Sequence, residues 1–332
     1  MNHQRNVLVT AIGSFSADAV IRELKKAGNR VIGCDIYPAE WVAQSRDVDA
    51  FYQAPYVSDE EAYLTFLKNL IQKEQISRIV PLIDVEVDLM NRDRDEIETG
   101  ETRICMSDVD TIELLRNKLE LGLKVQGIVN ELEDPELKSL VRTIPSTPAE
   151  EVDFERVTLP LILKPVRGRS SQGLYRIRKQ IELRGALTEI EDLGNYIMQP
   201  MLQGNVITVD IVRDHEGHCL AIPREELLRT SNGAGLSVRV FEDPGFQKVV
   251  CRIADALGVL GSVNFEFIHG EGSGVYYFIE CNPRFSGGVA FTELAGVPVI
   301  SDHMAVFDGE IIDDSVKPES GFMTRKYLEC RM

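Results

Sequence analysis

The residues best suited to chemistry lie near the end of the chain, in the stretch 262–288, SVNFEFIHGEGSGVYYFIECNPRFSGG. Its flanks are rich in Val, Phe, Tyr and Ile and surround a glycine-rich run, which predicts two strands joined by a turn. Because side chains alternate between the two faces of a strand, Glu280 and Asn282 share a face of the second strand. On the first strand, Asn264 and Glu266 share a face in the same way.

The length of the turn decides whether the carboxylates of the two strands meet. A five-residue loop at 270–274 would place Glu266 opposite Phe278 and diagonal to Glu280, with their backbones roughly 7–8 Å apart. One residue more or less would send the two carboxylates to opposite faces. In the favourable register, two carboxylates and an amide oxygen converge with no obvious cationic partner, and a hard divalent cation would relieve their repulsion. The alternative is a solvated hairpin face that carries scattered polar residues.

The order of residues in this stretch also carries a resemblance. E-C-N-P-R-F-S-G-G after a strand, with N-F-E-F upstream, is similar to the metal-binding end of the ATP-grasp superfamily. The most similar branch is that of the carbamoyl phosphate synthetase large subunit, which includes many carboxylate–amine ligases. The resemblance implies that Glu266, Glu280 and Asn282 hold Mg²⁺, or alternatively Mn²⁺, on the phosphates of ATP. It also implies that Arg284 is catalytic and faces the transferred phosphate or the acid substrate.

A second motif follows the segment LPLILKP, which is predicted to be a buried strand that ends near Lys164. The small residues after it, VRGRSSQG, permit a loop whose backbone N–H groups can close over phosphates. This run resembles the ATP-grasp flap K-P-x-x-G-x-S-S-x-G, which implies that Lys164 is catalytic and binds phosphate. The flap residues expected to bind the nucleotide are Arg167, Gly168, Ser170, Ser171 and Gly173. A plain hairpin turn is the alternative.

The segment YIMQPMLQGNVITVD at 196–210 resembles the hinge on which ATP-grasp proteins hold adenine. The main-chain groups expected at the purine edge are those of Gln199, Pro200, Met201 and Leu202. The family usually has a glutamate two residues after the glycine to hold the ribose hydroxyls, whereas this chain has Val206. Either Asn205 replaces that glutamate or the ribose is held less tightly, so the affinity for ATP and the preference among nucleotides are open.

Four further regions complete the C-terminal part. A strongly helical segment at 108–123 carries Lys118, where the family places a lysine that reaches the phosphates; an exposed helical lysine is the alternative. The acidic insert ELEDPELKSL at 131–140 is predicted to be a surface loop or a short helix. The family places the region 222–240 opposite the acceptor substrate, but we expect each of its arginines to lie on the surface: Arg224, Arg229 and Arg239. The tail to Met332 is expected to add little.

The elements that precede these motifs form a βαβ pattern. Strands are predicted at 6–11, 30–35, 78–83 and 103–106, and helices at 16–27, 59–73 and 86–96. This alternation predicts a small, mostly parallel sheet with helices on both faces. Asp35 lies where a dinucleotide-binding fold places its ribose acid, but Gly13 is followed by Ser, Phe and Ser. Because the glycine fingerprint is missing, dinucleotide binding is not expected.

Two acids follow the predicted strand at 78–83. Asp84 and Glu86 lie at the edge where open α/β sheets collect ligands. The simpler interpretation is that Asp84 caps the next helix while Glu86 lies in its first turn and interacts favourably with the helix dipole. We therefore expect both acids to be structural.

Length and charge narrow the possible functions. The 332 residues are enough for two or three packed subdomains. A net charge of −17 disfavours nucleic acid and anionic membrane surfaces as partners. No apolar run approaches the ~20 residues of a membrane span, and the N-terminus enters a predicted strand without a signal peptide. The 6 scattered cysteines suit reduced thiols, so a cytoplasmic location is expected.

Together these observations predict a mixed α/β and α+β fold. The resemblance implies an N-terminal pre-ATP-grasp (Rossmann-like) domain over 1–113 that precedes an ATP-grasp fold of two α+β subdomains over 114–332, with the flap at about 145–200 and the metal and substrate part at about 201–332. The resemblance implies an ATP-dependent carboxylate–amine ligase that uses ATP and Mg²⁺. Its expected partners are a small carboxylic acid and an amine, with amino acids among the candidates, and family members are often homodimers. The alternatives are an enzyme that forms an acyl phosphate in the manner of carbamoyl phosphate synthetase and a nucleotide-binding regulator without turnover.

Overall fold

The computed structural model describes residues 5–168, 172–231 and 233–332. The strands are β1 (Asn6–Val9), β2 (Arg30–Asp35), β3 (Ala50–Gln53), β4 (Arg78–Val80), β5 (Arg103–Ile104), β6 (Val141–Thr143), β7 (Thr147–Pro148), β8 (Leu161–Pro165), β9 (Tyr175–Ile177), β10 (Tyr196–Pro200), β11 (Gly204–Arg213), β12 (Cys219–Arg229), β13 (Gly235–Val240), β14 (Gly261–Gly270), β15 (Tyr276–Asn282) and β16 (Gly321–Thr324). The helices are α1 (Ala17–Lys26), α2 (Glu60–Glu74), α3 (Asp84–Arg92), α4 (Arg94–Ile97), α5 (Val109–Arg116), α6 (Lys118–Asn130), α7 (Pro135–Leu140), α8 (Gln180–Glu189), α9 (Pro244–Ala256), α10 (Val289–Leu294) and α11 (Val299–Phe307). Within these ranges, the helices are too short or too polar to span a bilayer.

The N-terminal sheet is parallel and has the strand order β3-β2-β1-β4-β5. The alternation of strands and helices in the sequence predicts this arrangement, except for β3, whose residues AFYQ lie at the sheet edge and are only partly buried. The carboxylate of Asp35, at the end of β2, accepts hydrogen bonds from the backbone N–H groups of Gly13 (2.8 Å) and Tyr37 (3.1 Å). Asp35 therefore fixes the loop between β1 and α1.

Two sheets of mainly antiparallel strands follow. The smaller has the order β7-β10-β8-β9, and the larger has seven strands in the order β16-β13-β12-β11-β14-β15-β6. The helices α6 and α9 cover one face of the larger sheet, where Phe246 and Val250 are fully buried against the strands. The opposite face of this sheet is therefore the one that can hold a ligand.

The hairpin of β14 and β15 differs from the predicted register. Glu266 lies directly opposite Glu280, and Asn264 directly opposite Asn282. The predicted pairing of Glu266 with Phe278 is wrong because strand pairing begins at His269 and Tyr276, and because a β-bulge shifts the register between Phe267 and Glu266. The shared face of the two carboxylates is nevertheless as predicted, and the bulge brings them closer along the sheet than the predicted diagonal.

The helical segment around Lys118 is broken, and the acidic insert contains structure. Helix α5 ends at Arg116, and the side chain of Asn117 then caps α6 by accepting from the N–H groups of Leu119 and Glu120, both at 3.2 Å. This break places Lys118 in the first turn of a new helix. The acidic insert forms α7, as predicted in outline, and leads into β6, which pairs in parallel with β15.

The expectation that the C-terminal tail adds little is wrong. Helix α11 packs in the core that joins the N-terminal sheet to the seven-stranded sheet, and β16 extends the latter beside β13. Beyond β16, the guanidinium of Arg325 donates to the carbonyls of Phe15 (3.2 Å) and Gly287 (2.6 Å). The tail thereby fastens the loop after β1 to the loop that follows Arg284. These contacts could not be predicted from the sequence, because each of them joins segments that are far apart in the chain.

Candidate active site

Two carboxylates lie side by side on β14 and β15, and each has a cationic partner. The guanidinium of Arg229, at the end of β12, is 3.1 Å from the Glu266 carboxylate, and Nζ of Lys118 is 3.4 Å from that of Glu280. The prediction that the two carboxylates lack cations is therefore wrong. Both cations come from elements distant in sequence, so the pairs could not be inferred from the hairpin alone.

The electrostatics of this pair suit a divalent cation. Burial raises the pKa of Glu266, and the negative charges of Glu280 and Glu226 add to the shift, while Arg229 opposes it. The side-chain nitrogen of Asn282 donates to the side-chain oxygen of Asn264 (3.2 Å). Among the described residues, no hydrogen bond is made to the side-chain oxygen of Asn282. Two carboxylates and an amide oxygen are hard ligands of the kind that Mg²⁺ accepts alongside phosphate oxygens and water.

No group of three or more His, Cys, Asp or Glu residues that could hold a metal occurs in the described part of the chain. The predicted set contains only two carboxylates, and Mg²⁺ is commonly held by one or two carboxylates together with substrate phosphates. The residues present therefore fit a metal that arrives with a nucleotide better than one held by the protein alone.

Arg284 is fixed by Asp84. Its Nε and Nη2 donate to the two carboxylate oxygens of Asp84 at 3.1 and 2.8 Å, and Nη1 of Arg116 approaches Asp84 at 3.5 Å. The interpretation of Asp84 as a helix cap is wrong, since Ile83 occupies the N-cap of α3 and the carboxylate turns toward the arginines. Burial acts to raise the pKa of Asp84, but the two guanidinium charges outweigh it and lower the pKa. Asp84 therefore orients the arginine next to the carboxylate pair.

A cleft of about 370 Å³ lies between the two antiparallel sheets and ends at the carboxylate pair. Of the predicted site residues it is lined by Lys118, Lys164, Gly168, Gln199, Pro200, Met201, Leu202, Glu266 and Glu280. Lys164 is buried, and this burial lowers its pKa to about 8. Nζ of Lys118 also donates to the carbonyl of Gly168 (3.1 Å), which joins helix α6 to the loop after β8.

One main-chain donor just after β10 has no backbone partner among the described residues. The N–H of Met201 donates to the carbonyl of Pro160 (3.1 Å), and the Gln199 side chain donates to the Ser146 hydroxyl (2.7 Å). The N–H of Leu202 has no backbone partner among the described residues. Of the predicted hinge groups, Leu202 is therefore the one whose N–H can bind a purine edge without breaking a hydrogen bond of the free protein.

Asn205 is not brought into the cleft. Its amide nitrogen donates to Glu225 at 2.5 Å, while Val206, the next residue along β11, lines the cleft. Of the two alternatives for the ribose, the one in which Asn205 replaces the glutamate is wrong, because alternation along the strand sends its side chain to the face opposite that of Val206.

The structure describes only part of the predicted flap, residues 167–168 and 172–173. Gly168 lines the cleft, but Arg167 pairs with Glu113 (2.7 Å) at the surface. Gly173 has φ +68°, and a Cβ there would lie 2.7 Å from the Tyr196 hydroxyl, so a residue larger than glycine would disturb this turn. Ser170 and Ser171 lie outside the described residues.

A second pocket of about 210 Å³ adjoins the cleft, and Arg229, Glu266 and Glu280 line both. Its wall includes Asn282 and Arg284 and, from the loop after β1, Phe15 and Ser16. The loop that lacks the dinucleotide fingerprint thus forms part of a pocket whose other wall belongs to the seven-stranded sheet.

Sequence reasoning missed several residues of this second pocket. Arg224 is 1% exposed, contrary to the predicted surface position, and it donates to Asp210 (2.5 Å), Ser286 (2.8 Å) and Glu226 (3.2 Å). Arg224 and Glu226 share a face of β12 because they are two residues apart. The sequence does contain an indication of this burial, since Arg224 follows the buried run LAIP. The surface position was predicted from the charge of the side chain alone.

Comparison with known families agrees with this geometry. Residues 192–329 match the family model described as ATP-grasp in the biosynthetic pathway with Ter operon, and residues 7–105 match the PylC-like N-terminal domain. The chain is an ATP-grasp protein. The predicted fold class is confirmed: a pre-ATP-grasp parallel-sheet domain precedes the ATP-grasp subdomains. ATP-grasp enzymes bind ATP with Mg²⁺ and are typically ligases.

Solved structures share the fold of this ATP-grasp protein at low sequence identity. N5-carboxyaminoimidazole synthetase from Staphylococcus aureus, complexed with ADP, superposes with a TM-score of 0.75 at 15% identity, over 98% of this chain and 83% of the other. L-amino acid ligase from Bacillus licheniformis gives a TM-score of 0.72 at 14% identity, over 96% of this chain and 78% of the other. At these identities the likeness shows the fold alone.

A curated relative is similar over part of the chain. The carbamoyl phosphate synthase large chain of Clostridium botulinum (strain Alaska E43 / Type E3) is 29% identical over 174 residues, which is 49% of this chain. The match spans only 16% of the relative's length. The similarity is distant, and it supports the predicted branch of the superfamily.

Proposed function

We propose that this ATP-grasp enzyme joins a small carboxylic acid to an amine through an acyl phosphate, releasing ADP and phosphate. The observation that carries the proposal is the position of the Glu266–Glu280 pair, which lines both the nucleotide-sized cleft and the smaller pocket next to it. A reaction that transfers a phosphoryl group from one cavity to a ligand in the other needs its charged centre at such a junction.

The reaction has two steps. A carboxylate oxygen of the acid attacks the γ-phosphorus, and the bond from this phosphorus to the bridging oxygen breaks with its electron pair leaving on ADP. The amine nitrogen then attacks the acyl carbon, the carbon–oxygen bond to phosphate breaks, and the nitrogen loses a proton. The product is an amide, and no side-chain nucleophile takes part.

The chain supplies charge and orientation for these steps. Lys118 and Lys164 line the cleft near the carboxylate pair and would bind the phosphates, while Arg284, held by Asp84, would face the acid. Glu266, Glu280 and Asn282 would hold Mg²⁺, which when bound neutralises charge on the phosphates. Arg229 and Lys118 occupy the two carboxylates in the free protein, so they would exchange carboxylate contacts for phosphate contacts as the nucleotide binds.

The experiment is trapping of the acyl phosphate. Incubation with ATP, Mg²⁺, hydroxylamine and pools of carboxylic acids is expected to yield ADP and the hydroxamate of the true acid, while Glu280→Gln yields neither. The similarity to carbamoyl phosphate synthase makes bicarbonate with a nitrogen source the main alternative, and ADP release with those alone would replace the proposal. AMP and pyrophosphate would indicate an adenylating enzyme. Nucleotide binding without ADP release in any mixture would indicate a regulator.

A further inference from the structure

One wall of the cleft is aliphatic between the hinge and the carboxylate pair. Val206 on β11 lies directly opposite Ile268 on β14, and both side chains line the cleft. Their neighbours Ile207 and Phe267 alternate to the other face and are buried in the core that α6 and α9 cover. The cross-strand pair Val206–Ile268 therefore gives this part of the cleft an apolar surface.

A β-bulge extends the aliphatic surface. Ile279 has no partner in the register of β14 and β15, so it is the extra residue of β15. Because the bulge interrupts the alternation of side chains, Ile279 and Glu280 both line the cleft although they are consecutive. A third aliphatic side chain thus lies beside the carboxylate pair.

The apolar surface lies where the sugar of a nucleotide would lie. Residues two apart on a strand are separated by about 7 Å, which is the distance from Glu266 to Ile268 along β14. At the other end, Leu202 of the hinge precedes Val206 by four residues. A nucleotide with its base at the hinge and its phosphates at the carboxylate pair therefore lays its ribose against Val206 and Ile268.

This wall offers the ribose hydroxyls no carboxylate. In the part of the chain that the structure describes, Glu266 and Glu280 are the only carboxylates that line the cleft, and they lie at its phosphate end. Glu225 accepts from Asn205 outside the cleft. Glu271, in the turn after β14, does not line the cleft either.

The facing wall adds no buried partner for the sugar among the described residues. Gln172, Arg176 and Arg178 line the cleft, but all three are exposed. A hydrogen bond from an exposed side chain replaces one with water, so it contributes little to selectivity. Gln199 and Lys164 are buried, but the first belongs to the hinge and the second lies near the carboxylate pair.

We propose that the nucleotide site does not select the sugar, so that 2′-deoxyribonucleotides are bound and used nearly as well as ribonucleotides. Val206 determines this, because its side chain occupies the place from which an acceptor could reach the ribose. A site that hydrogen-bonds a hydroxyl rejects the analogue without it by about 10⁴-fold or more, whereas an aliphatic wall gains nothing from the hydroxyl. The inference rests on the proposed function only for the placement of the nucleotide and concerns neither the acid nor the amine.

Calorimetric titration with MgADP and with its 2′-deoxy analogue tests the inference without any ligation. Wild-type protein is expected to bind the two with Kd values within about threefold of each other. In the hydroxamate assay, kcat/KM for ATP and for 2′-deoxyATP should agree within the same factor. A larger preference for either sugar, in either measurement, overturns the inference and leaves the ligase reaction standing.

Two neighbouring variants test whether Val206 lies beside the sugar. Val206→Glu places a charged acceptor in the cleft, so it should favour MgADP over the 2′-deoxy analogue by about tenfold or more, whatever its charge does to the binding of both. Asn205→Asp is the matched control, because it adds the same charge one residue earlier, on the other face of β11. This control should keep the two Kd values equal. No preference in Val206→Glu, or an equal preference in Asn205→Asp, overturns the placement of the sugar.

The failures of the two proposals are distinguishable. If no acid yields a hydroxamate while both nucleotides bind equally, the ligase reaction fails and the inference stands. If neither nucleotide binds, the nucleotide site itself is wrong and both proposals fail. Should Val206→Glu fail to fold, Val206→Gln supplies an uncharged acceptor at the same position, and its preference for MgADP should exceed that of the wild type by about fivefold. An unchanged ratio in this variant also overturns the placement of the sugar.

Discussion

Acids with little exposed surface occur in two regions of this molecule, fully buried in one and half-buried in the other, and their partners differ. In helix α3, beside the N-terminal sheet, the two oxygens of Glu86 accept from the hydroxyls of Thr10 (2.5 Å) and Tyr63 (2.6 Å). In the seven-stranded sheet, Glu266 and Glu280 pair with the long cationic side chains of Arg229 and Lys118 beside open cavities.

The difference separates acids that serve the fold from acids that can bind ligands. The hydroxyls that bind Glu86 belong to buried residues that cannot move away without opening the core. Arginine and lysine side chains at a cavity can rotate and exchange one anion for another at small cost. Neutralising a carboxylate in the first region should change stability, and in the second region it should change activity.

The largest effect is expected for Glu280→Gln. The substitution removes one charge and almost no volume, so the fold should persist, while turnover should fall about 10³-fold because several kcal/mol of charge stabilisation are lost. ADP release at saturating Mg²⁺ measures this, and the thermal midpoint of unfolding serves as the control. Turnover within a few-fold of the wild type in a folded variant would remove Glu280 from the metal site.

Glu86→Gln is expected to change stability and not activity. Burial raises the pKa of Glu86 to about 7, so the folded state holds a proton that the unfolded state releases above its ordinary pKa near 4.5. Since the unfolded state binds fewer protons in this window, stability falls as pH rises from about 4.5 to 7, by about 3 kcal/mol from this group. Glutamine stays neutral, so the variant should lack this loss.

Urea unfolding at pH 5 and pH 8 tests this prediction. The free energy of unfolding of Glu86→Gln relative to wild type should rise by about 2.5 kcal/mol between the two values, because the unfolded glutamate is already mostly ionised at pH 5. Other groups that titrate in this range, such as Glu293 and Asp302, cancel because they are common to both proteins. An equal difference at both pH values would mean that Glu86 is ionised in the folded protein.

A smaller effect is expected for Arg284→Ala. Hydrogen bonds to a charged group contribute about 1.5–3 kcal/mol, so hydroxamate formation should fall roughly 10- to 100-fold. The Kd of ATP should change little if the guanidinium contacts the acid rather than the nucleotide. Arg239→Ala is the matched control, because Arg239 pairs with Glu225 away from both cavities. Equal losses in ATP binding and hydroxamate formation would make Arg284 a nucleotide residue instead.

Local patterns predicted the elements and part of the site. Alternation along two strands predicted that Glu266 and Glu280 share a face, and an apolar run ending in a lysine predicted β8 and the buried Lys164. Contacts between distant segments could not be predicted. Asp84 meets Arg284 across 200 positions of sequence, and the bulge beside Glu266 depends on how the hairpin packs. The positions of charged residues were the hardest to predict. Arg224 was expected at the surface because its buried partner, Asp210, could not be identified from the sequence.

The smallest effect concerns the pH dependence of nucleotide binding and follows from Lys164. Burial lowers its pKa to about 8, which Glu280 and Glu266 counteract only in part, so in the free protein the ammonium loses its charge as pH rises through 8. A bound phosphate favours the charged form, and binding above pH 8 must therefore take up a proton. The Kd of MgADP should rise about tenfold between pH 7.5 and pH 9, since roughly nine in ten molecules then need protonation first.

Calorimetric titration measures this Kd, and Lys164→Met is the control. With no proton to take up, this variant should bind MgADP more weakly but with a nearly constant Kd over this range. A wild-type Kd that is flat to pH 9 would mean either that Lys164 stays charged in the free protein or that it does not contact the phosphates. Lys164→Met decides between these, because only the loss of a phosphate contact lowers affinity at pH 7.5.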